Sequence, residues 1–467
     1  MSFKKKILAV AAVSALTAAT AVPALALENE FHGMFRLKAD ISNFDNGGTG
    51  LRIPKYNPGT SNFVDQRARL LYMAKANDDL KLITHFEIDS RWGDASYTNG
   101  RNLGGSIGAD TVNLETKSVY LDFNIPTKVP VNVKGGMQPF TDAYKGIFVN
   151  TDAAGVVASA QYAGFTNAVG WFRFDDRGTE VTAAGSAAAA ISATANTGKR
   201  TRDLIIADTK YGISKDLKVG GSYYMINDDE SVPTTTAAGQ AVTDGIVHTL
   251  GVNAEANLGL ATVDGFALYQ FGNATVAGFE RHISAWAANV GAKAKIGIGT
   301  ARANFLYTSG EGNPARGNYN GFIPVKNETS GADAENTFYP AEMRILLRDK
   351  FGTTDDRAMV YNSDNQGQGI IGGFIGYDAN ITPKVFANAN AGFVAVAKRG
   401  LVAASTTSDS GYMGTELNAE VGYKLYDNLT ASVQGAYVIL GDYYKGTSAG
   451  KDPNSPFLSR IVLNYVF

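Results

Sequence analysis

No cysteine occurs in the 467 residues. That excludes disulfides, thiolate metal sites, iron–sulfur clusters and covalent haem attachment through CxxCH. Histidine is scarce too, with only His32, His85, His248 and His282. No HExxH pair is present, and no serine sits in the strand–turn–helix context of a nucleophile elbow. His85 shares a strand parity with Glu87 and Asp89, but residues two apart on one strand are neighbours by default. The sequence therefore offers no enzyme constellation and implies no cofactor. Long apolar runs are missing as well: past the first 26 residues nothing approaches the roughly 20 apolar residues of a spanning helix. No basic cluster beyond Lys4–Lys6 gives nucleic acid a footprint.

What is present begins at the amino terminus. Lys4, Lys5 and Lys6 precede an apolar, Ala-rich run from Ile7 to Val22, and Ala24-Leu25-Ala26 has the small-x-small form that signal peptidase cuts. Residues 1–26 thus read as a secretory signal peptide and 27–467 as the mature chain. Cleavage removes three lysines and no acid, taking the formal charge from −2 to −5. An exported chain without disulfides needs another source of stability, and a closed hydrogen-bonded barrel is one. The near-zero mean hydropathy of −0.10 does not oppose this, because only alternate residues of a barrel strand face lipid.

The body alternates with period two. In Phe31–Phe44, Phe31, Phe35, Leu37, Ala39 and Ile41 oppose His32, Arg36, Lys38 and Asp40. Asn62–Ala76 and Leu80–Arg91 repeat the pattern, and 385–395, 413–425 and 429–439 show it most cleanly. Short connections rich in Gly, Pro, Asn and Asp fall at 77–79, 125–130, 164–167, 214–216, 257–259, 297–299, 381–384 and 426–428. Long ones fall strictly between them, at about 45–61, 92–112, 139–155, 176–203, 229–246, 274–282, 310–367, 399–411 and 444–456. This predicts an all-β, closed antiparallel transmembrane barrel of about eighteen strands, or sixteen if one pair is false. Thr179–Thr197 and Val232–Thr243 are low in complexity and read as external loops. Within 310–367, Pro340–Lys350 reads as a helix with Met343, Leu346 and Leu347 on one stripe.

If the apolar parity faces lipid, the other lines the lumen. There Arg36, Lys38, Arg67, Arg69, Lys81 and Arg91 form a basic wall, with Asp65, Glu87 and Asp89 as acidic partners. Buried without partners, so many charges would be prohibitive; in a water-filled lumen they stay solvated. Each could equally be half of a salt bridge that staples the wall. Near-balanced signs predict weak ion preference.

The chain ends FLSRIVLNYVF, with Ile461, Leu463, Tyr465 and Phe467 on one parity and Arg460 and Asn464 on the other. A strand running to the last residue needs a partner, and in a barrel that partner is the first strand. The signal, the alternation over the whole mature chain and the terminal RIVLNYVF resemble Gram-negative outer-membrane porins, and the overall style is similar to porins of anaerobic metal-respiring bacteria. The resemblance implies an outer-membrane location among lipid and lipopolysaccharide, and a homotrimer. It also implies short periplasmic turns, and a terminal signal at Ile461, Leu463, Tyr465 and Phe467 read by the barrel-assembly machinery. One external loop would fold inward, at 141–155 or within 310–367, setting Asp142 and Asp152 opposite Arg36, Arg67 and Arg69. The expected function is passive diffusion of small hydrophilic solutes. The alternative is a barrel sheath around a separate multihaem cytochrome.

Overall fold

The computed structural model describes residues 27–44, 52–94, 105–106, 114–176, 198–199, 201–229, 242–276, 279–312, 317–325, 336–354, 357–399 and 408–467. The expected signal segment 1–26 and the low-complexity stretches lie outside these residues, except Val242 and Thr243. Among the described residues the strands are β1 (Glu28–Ser42), β2 (Ser61–Asn77), β3 (Leu80–Arg91), β4 (Leu114–Ile125), β5 (Val131–Thr141), β6 (Asn150–Tyr162), β7 (Phe165–Asp176), β8 (Thr201–Gly212), β9 (Leu217–Asp228), β10 (Val242–Asn257), β11 (Ala261–Val276), β12 (Phe279–Ile296), β13 (Gly299–Thr308), β14 (Asn318–Tyr319), β15 (Ile370–Asn380), β16 (Val385–Ala395), β17 (Tyr412–Tyr426), β18 (Leu429–Leu440) and β19 (Phe457–Val466).

Every strand except β14 pairs antiparallel with its chain neighbours, and β1 pairs with β19, so eighteen strands close the ring. The two-residue β14 runs parallel to the outer part of β12. All eight expected short turns join consecutive strands at one end of the barrel.

The period-two pattern decides which side each residue takes. Outward positions carry exposed Leu70, Val156, Val252, Val290, Ile375, Val421 and Ile461. Near the short-turn end this belt is edged by stacked Phe165–Tyr211 and Tyr465–Phe467. Near the other end it is edged by stacked Trp286–Tyr307 and Tyr269–Phe271. Between the two rims lie the roughly ten residues that a tilted strand needs to cross a bilayer. Rings with one apolar and one wet end suit both interfaces. An exposed apolar belt of this extent is the kind of surface that meets a membrane or a protein partner.

The closing seam joins Phe467 to Gly33 through N–H···O bonds of 2.8 and 3.0 Å in the two directions. A Cβ at position 33 would lie 2.6 Å from the Phe467 ring and 2.4 Å from the Arg69 carbonyl oxygen. Glycine is required there by the terminal aromatic and the neighbouring strand together.

Two expectations fail. The long connection at 274–282 does not exist as such: β11 runs to Val276 and β12 starts at Phe279. The two strands continue because Ala274, Val276 and Ile283 on their inner side are buried in one apolar cluster with Tyr319, Phe322, Ile323 and Val325, residues distant in sequence. The helix at 340–350 shrinks to one 3-10 turn, Tyr339–Ala341. Its apolar residues do not form a stripe, because Met343, Ile345, Leu346 and Leu347 are all buried. The amide groups that a helix would use are taken by a carboxylate of the barrel wall, described next.

Candidate functional site

Two inward-folded segments narrow the lumen. The first, between β13 and β15, is a strap that runs along the inner wall. Asn304 Nδ2 on β13 reaches Pro340 O at 3.4 Å. On β17, Glu416 accepts the N–H groups of Arg344, Ile345 and Leu346 at 2.7, 2.9 and 2.6 Å. The strap's Asp349 pairs with Arg460 on β19, and Thr354 donates to Asp65 on β2 from N (3.1 Å) and Oγ1 (2.7 Å). Arg357 lies 3.7 Å from Asp40 on β1.

Beneath the strap the wall charges join into clusters. Lys38 lies 3.5 Å from both Asp40 and Asp65. Arg460 reaches Asp40 at 3.3 Å, and Arg344 bridges Asp349 at 2.9 Å and Glu420 at 3.4 Å. Arg67 grips Asp89 with two bonds of 2.7 and 2.6 Å and reaches Glu87 at 3.2 Å, while Arg69 takes the other oxygen of Glu87. Burial raises the Asp349 carboxyl, but Arg460 and Arg344 outweigh it and hold the group well below the ordinary carboxylate range.

The second segment, 142–149, follows β5 and crosses towards β9–β12. Asp142 folds it. Oδ1 accepts the N–H groups of Tyr144 (2.7 Å) and Gly146 (2.9 Å), and Oδ2 those of Phe148 (2.7 Å) and Val149 (2.6 Å). Burial pushes this carboxyl up to about 6 against the pull of those four donors. Tyr144 and Phe148 pack on Tyr224, and Tyr144 also meets Phe266. At the tip, Lys145 occupies a left-handed conformation, φ 64°, donates to Asn289 Oδ1 at 2.7 Å and pairs with Asp264. The two segments interlock: Val325 N–H and Asn336 Nδ2 donate to Phe148 O at 2.8 and 2.6 Å, and Ser363 Oγ donates to Ile147 O at 2.6 Å.

The expected wall residues therefore divide. Lys38, Asp65, Arg67, Glu87 and Asp89 lie under the strap, each less than a tenth exposed. Arg36 sits at the strap's margin, with Nε 3.3 Å from Asn464 Oδ1, Nη1 3.4 Å from Lys350 O and its guanidinium over Phe351. Arg69 is partly open, Lys81 pairs with Asp122 at 3.5 Å, and Arg91 Nη2 reaches Thr354 Oγ1 at 3.4 Å. Asp142 does not face the arginines of β1 and β2; its four bonds all go to its own loop. Asp152 pairs with Lys117 at 2.8 Å. Both candidate loops enter the lumen, where a single one was expected.

The open side of the lumen lies over β5–β12. Below Lys145 is a cavity of about 770 Å³, lined among others by Lys210, Lys215, Lys218, Lys293 and Asn253. Lys218 is tied to Glu255 at 3.1 Å. Lys210 on β8, Lys293 on β12 and Lys134 on β5 share the inward parity, and among the described residues none of the three pairs with an acid.

The fold has solved counterparts. The chain is similar to OpdQ of Pseudomonas aeruginosa (12% identity, 94% of this chain and 97% of that one, TM-score 0.51) and to OccAB1 of Acinetobacter baumannii (12%, 94% and 96%, 0.53). It is also similar to the outer membrane protein OpdK of Pseudomonas aeruginosa (11%, 94% and 99%, 0.51). At these identities the likeness is one of fold. No family model matches the chain, and no curated protein matches it.

Sequence reasoning missed Arg344, Asp349 and Arg357 of the strap, Glu416 and Glu420 as its wall partners, and Lys145 with the open lysines. Glu416, Glu420, Lys210 and Lys293 were visible as inward-parity charges. Nothing local marks 344–357 as the segment that covers them.

Proposed function

We propose that the chain is an outer-membrane channel through which small hydrophilic solutes diffuse passively, with a preference for anions. The single observation that carries this is the uncompensated lysine set, Lys134, Lys210 and Lys293, on the open side of a narrowed lumen. Acids on that side are paired with other cations at Asp264 (Lys145), Asp152 (Lys117) and Glu255 (Lys218), and Asp208 accepts from the Tyr224 hydroxyl. Fixed wall charge and pore width set selectivity in a wet channel. This is stronger than the weak preference that counting charges on β1–β3 suggests, because those charges cancel within the buried clusters.

The fold shared with an outer membrane protein supports the location, and the lipid-facing belt supports contact with lipid and, in the outer leaflet, lipopolysaccharide. The outward row Ile461, Tyr465 and Phe467, each more than a third exposed, with Leu463 on the same parity, supports a terminal signal legible to the assembly machinery. A sheath for a haem protein gains no support, since two segments occupy space that such a partner would need.

Planar-bilayer recording of the purified protein under a potassium chloride gradient tests the proposal. A reversal potential on the chloride side supports it. A cation-selective current, or none from protein with heat-modifiable gel migration, rejects it.

A further inference from the structure

The strap presents a problem of backbone chemistry. Arg344, Ile345 and Leu346 are almost fully buried, outside any helix or sheet, and their N–H groups need acceptors. Glu342, in the left-handed conformation at φ 56°, reverses the chain just before them. Past Met343, the N–H groups of Arg344, Ile345 and Leu346 then converge on one point, an anion-binding concavity. Glu416 fills it. Oε1 accepts from Arg344 N–H and from Asn418 Nδ2 (2.8 Å); Oε2 accepts from Ile345 and Leu346 N–H. The strap's other face borders the open lumen, where Glu342 and Lys350 pair at 2.7 Å with side chains 23% and 46% exposed. Asn418 Nδ2 also reaches Glu342 O at 3.0 Å.

We infer that Glu416 is a positioning residue that clamps the strap by its backbone and keeps it out of the solute path. The inference rests on the channel reading above. A glutamine at 416 has the same shape but only one acceptor oxygen. Whichever way its amide turns, an NH₂ group faces two of the four donors. The strap would lose its grip at mid-length while remaining tethered by Asn304 and Asp65 at either side.

Single-channel recording of Glu416→Gln tests this. Brief closures should occur at least about tenfold more often than in the wild type, because buried donors left unpaired shift the seated equilibrium by that order. Open-level current and reversal potential should stay unchanged. Glu342→Cys with Asn418→Cys, bridged by a short thiol cross-linker in the Glu416→Gln background, should restore the quiet current. Asn418→Ala, which keeps the carboxylate, should give a smaller rise in closures and decides the matter if Glu416→Gln does not fold. A heat-modifiable Glu416→Gln barrel as quiet as the wild type overturns the clamp while leaving the channel reading intact. A silent wild type overturns both.

Discussion

The two sides of the lumen use the same residue types on the same inward parity to different ends. On β1–β3 and β17–β19, Lys38, Arg67 and Arg460 and the carboxylates beside them are covered by the strap and neutralise one another. On β5, β8 and β12, Lys134, Lys210 and Lys293 face the lumen and, among the described residues, pair with no acid. The difference does not lie in the strands. It lies in whether a loop covers them. Covered charges must pair, since an isolated buried charge is prohibitively costly. Open charges need not pair, and remain available to a passing ion. Burial thus converts the more highly charged wall into a fastening and leaves the less charged wall to act on solutes.

The largest effect should come from breaking the covered side. Arg460→Ala takes one cation from Asp40 and one from Asp349, leaving Lys38 and Arg357 on the first and Arg344 on the second, and should cost about 3–5 kcal/mol, the usual result of removing one partner of a buried pair. Lys210→Ala on the open side should stay within about 0.5 kcal/mol. Denaturant unfolding in detergent micelles measures both, and equal losses would erase the distinction. The seam also belongs to the covered side. Gly33→Val forces the Phe467 ring aside and should cost about 1–3 kcal/mol by overpacking, read as a lower temperature for the heat-modifiable gel shift.

A smaller effect concerns pH. Asp142 has a pKa of about 6 in its buried loop, above the ordinary 3.8. The seated loop therefore holds a proton more tightly than a released loop would. Its stabilisation is full below pH 3.8 and is lost as the pH rises through 6. Current noise should fall as the pH is lowered through 6, and Asp142→Asn should flatten that dependence. Noise that rises on acidification would reverse the assigned sign.

Much of the barrel was legible because its signals are local. Alternation marks strands, Gly-, Asn- and Asp-rich pairs mark turns, and a strand ending on Phe467 demands the β1 partner it has. The extended β11–β12 hairpin was not legible, because its inner face is covered by Tyr319, Phe322 and Ile323 from far along the chain. The helix expected at 340–350 was lost to Glu416, a competing acceptor that lies about 70 residues away. For the site, Arg67 and Asp89 share a parity in the sequence, and the structure joins them by two hydrogen bonds. Their burial depended on a strap whose path follows from ion pairs with Asp40, Asp65 and Arg460, and no local pattern in 344–357 announces those.

The most direct test of the division compares reversal potentials under a fixed potassium chloride gradient for the wild type and for Lys134→Glu/Lys210→Glu/Lys293→Glu. If the open lysines govern passage, the triple variant changes from anion to cation preference while its unfolding midpoint stays at the wild-type value. An unchanged reversal potential in a correctly folded triple variant would contradict the account and return selectivity to the wall beneath the strap.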